Sequence, residues 1–317
     1  MRREIPSIAA MAALLVVSQI AAIALSPIFA GAGFQAFQRP EDVTNTVIYL
    51  IMILAFTAVI LGLVRYKRQN LAKYVIMASI FITLAFVLLL PLFYALDYAT
   101  GGTADGVLLG NVATVLAFAV AAGLVYLLVK FPEWYVVDAI GMVTAAGVTA
   151  ILGISFGTLP AILLLIALAF YDAWAVYRTK HMITLADELT SQRLPILLVI
   201  PKKAGYSFRQ QKSLKEQVAS GEEREAMFVG LGDLIIPGIL AVSSFTFSSA
   251  TGRSFLGLLP NASIAFGTVL GSLVGFIVLM RYVLKGNPQA GLPLLNGGAL
   301  LGFVLSSLLV YGTVHIV

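Results

Sequence analysis

The sequence predicts an all-α membrane protein with nine transmembrane helices. The chain of 317 residues is 60% hydrophobic and only 11% charged, whereas soluble domains carry about 25% charged residues. Its mean hydropathy is +0.98, and its apolar runs reach the roughly 20 residues that span a bilayer. The basic residues behind the net charge of +5 lie beside these runs. The charge therefore indicates membrane topology and no nucleic-acid partner.

The nine predicted spans follow the apolar runs in order. The first run follows Arg2 and Arg3 and resembles a secretory signal. It exceeds the usual apolar length of about 7–15 residues, so we expect an uncleaved helix; cleavage would leave eight spans. Only Ser155–Pro160 separates the fifth and sixth spans, and its glycine and proline favour a turn. We place the spans near residues 6–29, 45–64, 74–96, 107–129, 134–155, 158–178, 226–249, 262–284 and 290–314.

The distribution of basic residues orients the chain. If the N-terminus is cytoplasmic and the spans alternate, 18 of the 20 Lys and Arg residues lie inside, and only Arg39 and Arg253 lie outside. Cytoplasmic loops are enriched in Lys and Arg. We therefore predict a multi-pass protein of the cell membrane with its N-terminus cytoplasmic and its C-terminus outside.

One long loop divides the chain into three parts. We predict helices 1–6 in residues 1–178, a cytoplasmic loop in residues 179–225, and helices 7–9 in residues 226–317. Within the loop, Arg193–Pro201 is too short to cross a bilayer. Its prolines bracket an apolar, β-branched core, which favours a short strand.

Glycines recur four residues apart in the last two spans. The eighth span carries Gly267, Gly271 and Gly275, and the ninth carries Gly298 and Gly302. Small residues at this spacing let helix backbones approach closely in lipid. We predict that these two helices pack tightly.

The content of cysteine and histidine excludes several kinds of site. The chain has no cysteine, which excludes disulfides, thiolate metal sites and cysteine nucleophiles. It has two histidines, His181 and His315, and no HExxH zinc motif. We therefore predict no metal and no cofactor.

Two aspartates lie where a lipid-buried helix should have none. Asp172 ends the apolar run of the sixth span, and Asp233 lies just inside the seventh. The two spans run in opposite directions, and each aspartate is about 9–12 Å from the inner boundary at 1.5 Å per residue. Ionisable residues at this depth are usually functional. Asp138, the closest rival, lies among interfacial aromatic residues, and we interpret it as structural.

Two close carboxylates can share one proton near neutral pH. The ionised member takes a proton from water as the water attacks a carbonyl, and the protonated member donates to the carbonyl oxygen. The roles reverse as the amine leaves. This is the chemistry of an aspartic protease.

Backbone-perturbing residues accompany the second aspartate and the ninth span. Gly230 and Gly232 flank Leu231 immediately before Asp233, and glycine permits close backbone approach. Pro293, near the start of the ninth span, removes a backbone donor. Freed backbone groups at membrane depth need a cavity, protein or a bound partner.

These motifs resemble those of the presenilin and signal peptide peptidase family of GxGD intramembrane aspartyl proteases, in a prokaryotic form. The matching residues are Tyr171-Asp172, Gly230-Leu231-Gly232-Asp233 and Pro293-Leu294-Leu295, with Leu294 where the family usually has alanine. The resemblance implies that Asp172 and Asp233 are catalytic. It implies that Tyr171, Gly230, Leu231, Gly232 and Pro293–Leu295 bind substrate or shape the active site. The implied partners are transmembrane-helix substrates within the lipid bilayer, and oligomerisation is left open.

The resemblance also bears on how a substrate is held. The segments Lys180–Asp187 and Leu194–Pro201 resemble the signal-peptide-peptidase branch, whereas the charge distribution favours the orientation of presenilins. We expect Leu194–Pro201 to pair with an unwound substrate, because the backbone of that substrate needs new hydrogen-bond partners. From the predicted orientation, we expect substrates with the N-terminus outside.

Two other functions fit the same carboxylates. A proton-coupled transporter or cation leak channel could relay protons through them, although the sequence shows no inverted repeat of the kind that many transporters carry. A prepilin peptidase is the third candidate. The proline motif of the ninth span favours the presenilin type over it.

Overall fold

Nine apolar helices make up most of the computed structural model, which describes residues 4–66, 68–179, 197–202, 205–208, 226–254, 257–284, 289–314 and 316. The helices are α1 (Ile5–Gly31), α2 (Thr44–Arg65), α3 (Gln69–Ala99), α4 (Gly106–Lys130), α5 (Trp134–Ser155), α6 (Thr158–Trp174), α7 (Leu231–Phe247), α8 (Pro260–Val283) and α9 (Leu292–Tyr311). Within the described residues, eight helical segments are long and apolar enough to cross a membrane, and α7 is a shorter apolar helix. The protein is therefore a multi-pass integral membrane protein.

A small sheet accompanies the helices of this mostly helical fold. Strand β1 (Leu197–Pro201) pairs antiparallel with β2 (Ala226–Gly230), and Val199 lies opposite Phe228. The predicted strand is confirmed for Leu197–Pro201. Its partner overturns part of the seventh predicted span, 226–249, because the first five of those residues are a strand and the helix begins at Leu231.

The start of the seventh helix was misplaced because hydropathy alone does not show where a helix begins. An apolar segment of a few residues that joins a helix cannot be told from an extra helical turn by hydropathy alone. Here Ala226–Gly230 pairs with Leu197–Pro201 of the long loop. Its backbone is extended as far as Gly230, at φ −66° and ψ 138°. The predicted loop features Lys180–Asp187, residues 194–196 and His181, as well as His315 near the C-terminus, lie outside the described residues.

Helix α7 occupies the centre of the bundle. It contacts α1, α5, α6, α8 and α9, and most of its residues are buried. Two glycines permit the close packing of its neighbours. A Cβ atom on Gly153 of α5 would lie 2.3 Å from Cβ of Val242, and one on Gly238 of α7 would lie 2.7 Å from Cγ2 of Thr149. The residues at the start of α7 are thus held by surrounding helices.

Helices α8 and α9 pack backbone to backbone through the glycines predicted to do so. A Cβ atom on Gly271 would lie 2.2 Å from the carbonyl oxygen of Gly298, and one on Gly302 would lie 2.2 Å from that of Gly267. On Gly275 it would lie 2.2 Å from the carbonyl oxygen of Leu294. This packing fixes the start of α9 against α8.

Candidate active site

Asp172 lies in the last turn of α6 and is 9% exposed. A single-turn π-helix, Ala175–Thr179, continues the chain after it. The backbone N–H of Leu292 donates a 3.0 Å hydrogen bond to Oδ2 of Asp172, and the backbone amide of Gly291 also interacts with this carboxylate. The start of α9 therefore supplies the backbone donors for Asp172.

Asp233 lies in the first turn of α7, directly after strand β2. A Cβ atom on Gly291 would lie 3.1 Å from Oδ1 and 3.2 Å from Oδ2 of Asp233. The backbone amide of Gly230 and the charge of Asp172 both act on the same carboxylate. The two predicted aspartates are thus brought together, with Gly291 against both and Leu292 against Asp172.

Side-chain contacts fix α9 relative to α6. The amide nitrogen Nδ2 of Asn296 donates a 2.8 Å hydrogen bond to the carbonyl oxygen of Leu165, in a fully buried position. Beyond Asp172, the hydroxyl of Tyr177 donates a 2.7 Å hydrogen bond to Oε1 of Gln289. One contact lies two turns before Asp172 and the other just after it, so the helix end that carries this carboxylate is held on both sides.

A cavity of about 340 Å³ opens onto Asp233. Its walls come from α1, β2, α8 and the segment that precedes and begins α9. The residues that line it include Met11, Leu15, Ala226, Met227, Phe228, Val229, Phe276, Leu279, Met280, Gln289, Gly291 and Leu295. Its lining is mainly apolar, which suits an apolar peptide segment.

An ion pair lies at the rim of the same cavity. Nζ of Lys202 is 2.9 Å from Oε1 of Glu4, and both residues line the cavity. The hydrogen bond and the charge of Lys202 lower the pKa of the Glu4 carboxyl from its usual value. The pair joins the residue before α1 to the residue after β1.

Four other predicted site residues, Leu231 and Pro293–Leu295, lie in the first turns of α7 and α9. Leu295 is 1% exposed and lines the cavity, and the carbonyl oxygen of Leu294 packs on Gly275. Pro293 is in the first turn of α9, where its missing N–H leaves no helical hydrogen bond unmade. Leu231 is buried, and its Cδ2 would be 3.3 Å from a Cβ atom on Gly141.

Gly232 and Tyr171 are less closely tied to the carboxylates. Gly232 is exposed in the first turn of α7, and a Cβ atom there would meet nothing within 4 Å. The ring of Tyr171 lies 6.4 Å from that of Trp174, centroid to centroid. Among the described residues, no recorded contact joins Tyr171 to Asp233.

Sequence reasoning missed three contributors to the site. Gly291 and Leu292 were part of the segment containing Pro293, but no role was predicted for them. Strand β2 was predicted to be helix. A glycine two residues before the proline at the start of the ninth span is the signal that could have indicated Gly291.

Similarity to known proteins covers almost the whole chain. The family described as "Signal-peptide peptidase, presenilin aspartyl protease" matches residues 12–312. A presenilin family intramembrane aspartate protease solved in space group C222 is 36% identical with a TM-score of 0.65, over 95% of this chain and 99% of that one. A presenilin family intramembrane aspartate protease solved in space group P2 is 37% identical with a TM-score of 0.63, over 95% and 97%.

A comparison with curated protein sequences gives no significant match. The transporter or leak channel predicted as an alternative has no support in these similarities. The family match extends over nearly the full chain, and the solved structures share both its fold and more than a third of its sequence. The chain therefore belongs to the signal-peptide peptidase and presenilin family and is an intramembrane aspartic endopeptidase.

Proposed function

We propose that Asp172 and Asp233 are the catalytic pair and that they hydrolyse peptide bonds within or next to transmembrane helices. One carboxylate takes a proton from water as the water attacks the scissile carbonyl, and the protonated partner donates to the carbonyl oxygen. The carboxyl group that took its proton from water then gives that proton to the leaving amine. The observation that carries the proposal is that the start of α9 lies against both carboxylates. The Leu292 N–H donates to Asp172 over 3.0 Å, and Gly291 lies so close to Asp233 that a Cβ atom on it would be 3.1 Å from Oδ1.

The start of α9 serves this chemistry by limiting how the carboxylates can move. The Leu292 N–H fixes Oδ2 of Asp172, and the Gly291 amide acts on the same carboxylate. Gly291 has no side chain, so the Asp233 carboxylate can approach the backbone closely. Positioning of reacting groups is a large part of catalysis, because a well-oriented pair avoids the entropy cost of assembly.

The free edge of β2 is the proposed site for an unwound substrate. The N–H of Val199 points away from β2, towards Asp138, so Val199 and Phe228 form a non-hydrogen-bonded pair. The backbone groups of Ala226, Phe228 and Gly230 then face the other edge of β2. The side of β2 lies along the cavity, and the Gly230 amide interacts with Asp233.

This geometry favours β2 as the strand that pairs with the substrate, in place of Leu194–Pro201, the segment expected from the sequence. Both edges of the described part of Leu194–Pro201 are engaged, one by β2 and the other by Asp138. An extended substrate added to β2 would satisfy its own backbone groups at membrane depth. Its scissile bond would come to lie beside Asp233, because β2 leads directly into the turn that carries this residue.

The direction of β2 favours one substrate orientation. With the N-terminus of the enzyme in the cytoplasm, β2 runs from the cytoplasmic side towards the membrane. A substrate with its N-terminus outside would run the opposite way and add as an antiparallel strand. Antiparallel pairs are slightly more stable per residue than parallel ones. We therefore propose such substrates, with cleavage that releases a short C-terminal fragment into the cytoplasm.

The test is a pair of substrates that share one apolar core but carry reversed flanking charges. Purified enzyme and substrates are reconstituted in vesicles, and the products are identified by mass spectrometry. Cleavage is expected for the substrate with its N-terminus outside and should vanish with Asp172→Asn or Asp233→Asn. Equal cleavage of both substrates would contradict the proposed orientation. Retained cleavage by either Asn variant would contradict the catalytic pair.

A further inference from the structure

A third buried aspartate has no part in the chemistry described above. Asp138 lies in the second turn of α5 and is 8% exposed. A carboxyl group in a membrane-spanning helix is expensive and is usually retained for a function. Within the described part of the chain, its one hydrogen-bond partner is the backbone N–H of Val199, which donates to Oδ1 over 2.7 Å.

This hydrogen bond engages the outer edge of the sheet at Val199. Because the N–H of Val199 points away from β2, it would otherwise be an unpaired donor inside the bundle; Val199 is 0% exposed. A buried donor that is left unpaired destabilises a folded structure. Asp138 therefore binds β1 on the side opposite to β2.

A second residue on α5 supports the same docking. Gly141 lies one helical turn after Asp138, on the same face of the helix. A Cβ atom on Gly141 would lie 2.9 Å from Cδ2 of Leu198 and 3.3 Å from Cδ2 of Leu231. The glycine thus makes room for both β1 and the first residue of α7. Asp138 and Gly141 together form a platform on which β1, and through it β2, is seated.

We propose that Asp138 is a positioning residue that sets the alignment of the β2 edge with Asp233, and so determines which substrate bond is cut. This rests on the proposed function, in which the substrate adds to β2. The rigid connection runs from the Asp138–Val199 hydrogen bond through the paired strands to Gly230 and the turn that carries Asp233. Asp138 touches neither the substrate nor the reacting atoms.

The experiment compares Asp138→Asn with Asp138→Leu in the full-length enzyme. Asn keeps a carbonyl oxygen that can accept from Val199, whereas Leu has similar bulk and no acceptor. With a transmembrane peptide in detergent, Asp138→Asn should keep kcat within about twofold and keep the wild-type cleavage site and pH profile. Asp138→Leu should lower kcat about tenfold, because a small misplacement of the reacting groups is costly in rate, and should yield products cut at additional bonds.

The outcomes separate this inference from its alternatives. If Asp138→Asn is as impaired as Asp138→Leu, the charge or proton of Asp138 matters and the positioning role is wrong. If Asp138→Leu keeps the wild-type rate and a single product pair, the inference is also overturned. The lipid-facing substitution Val143→Ala on the same helix is the control for effects on expression. Retained cleavage by Asp172→Asn would instead contradict the proposed function.

A second variant covers the case in which Asp138→Leu does not fold. Gly141→Ala retains the Asp138 carboxylate but pushes the side chains of Leu198 and Leu231 by a few tenths of an ångström. It should shift the ratio of products while its thermal midpoint stays close to that of the wild type. A wild-type product pattern from folded Gly141→Ala would overturn the inference.

Discussion

Gly291 faces Asp233 so closely that a Cβ atom on it would lie 3.1 Å from Oδ1 and 3.2 Å from Oδ2 of the carboxylate. Few real Cβ atoms approach an oxygen so tightly, so a side chain at this position must displace the carboxylate or the start of α9. The backbone angles of Gly291, φ −77° and ψ −48°, are open to any residue. The requirement for glycine is therefore one of space beside the carboxylate.

The first prediction follows for Gly291→Ala. We expect kcat to fall about tenfold or more, because small displacements of a reacting group are costly. The free energy of unfolding should change little. Gly297→Ala on the same helix is the matched control, since a Cβ atom there meets nothing within 4 Å. Equal activities of the two variants in a peptide-cleavage assay would show that the close approach to Asp233 has no catalytic role.

The second prediction concerns the two aspartates themselves. Asp172→Asn and Asp233→Asn should each leave a folded protein without detectable cleavage, because an amide can neither accept the proton of water nor deliver one. The wild-type rate plotted against pH should be bell-shaped, and its two limbs should report the coupled pair and not single residues. Thermal unfolding in detergent verifies the fold. A rate that rises along one limb only would contradict the shared-proton mechanism.

The third prediction tests the backbone packing of α8 on α9. A Cβ atom on Gly298 would lie 2.3 Å from the carbonyl oxygen of Gly271. Because backbone atoms cannot move aside as a flexible side chain can, Gly298→Ala should destabilise the protein by about 1–3 kcal/mol. The neighbouring change Gly297→Ala should be neutral or stabilising by up to about 1 kcal/mol. The thermal midpoints of Gly298→Ala and Gly297→Ala, measured in the same detergent, test this prediction. Equal midpoints would refute the packing argument.

The fourth prediction uses the absence of cysteine from the chain. Pro201 and Ala226 lie opposite each other and, like Val199 and Phe228, form a non-hydrogen-bonded pair, with Cα atoms about 4.5 Å apart. This spacing suits a disulfide. The double variant Pro201→Cys/Ala226→Cys should therefore oxidise readily and remain active, because a substrate added to the far edge of β2 does not need to separate the strands.

Single cysteine variants and the reduced double variant are the controls for that experiment. A loss of cleavage on oxidation that reducing agent reverses would indicate that the substrate inserts between β1 and β2. That result would overturn the proposed pairing edge. It would not bear on the proposal that Asp172 and Asp233 are the catalytic pair.

The fifth prediction concerns the ion pair of Glu4 and Lys202. Because Lys202 lowers the pKa of Glu4 in the folded state, the pair stabilises the fold above the unfolded pKa of about 4.3. That contribution disappears as the pH falls through the folded pKa. Both side chains are about a quarter exposed, so Glu4→Gln should destabilise by less than about 1 kcal/mol at pH 7. The difference in thermal midpoint between variant and wild type should vanish in acid.

Much of the architecture could be predicted because lipid imposes a simple rule on sequence. Long apolar runs must be helices, since only helices and closed barrels satisfy their backbone hydrogen bonds in a bilayer. The same rule made Asp172 and Asp233 conspicuous, and the structure brings them together at the start of α9. The spans and the two carboxylates could therefore both be recognised from local sequence.

The parts that could not be predicted depend on contacts between distant segments. Ala226–Gly230 is apolar in either structure, and only its pairing with Leu197–Pro201 makes it a strand. Asp138 was interpreted as structural from the aromatic residues beside it, yet its partner is the backbone of Val199, 61 positions along the chain. No periodicity within α5 indicates that hydrogen bond.

The edge of β2 that borders the cavity also bears on how the resting enzyme is solvated. Strand edges cannot face hydrocarbon without partners for their N–H and C=O groups. Val199 on the outer edge of β1 is hydrogen-bonded to Asp138, whereas the edge of β2 borders the cavity, where water must satisfy it when no peptide is present. A peptide strand that adds to this edge therefore takes the place of water beside Asp233.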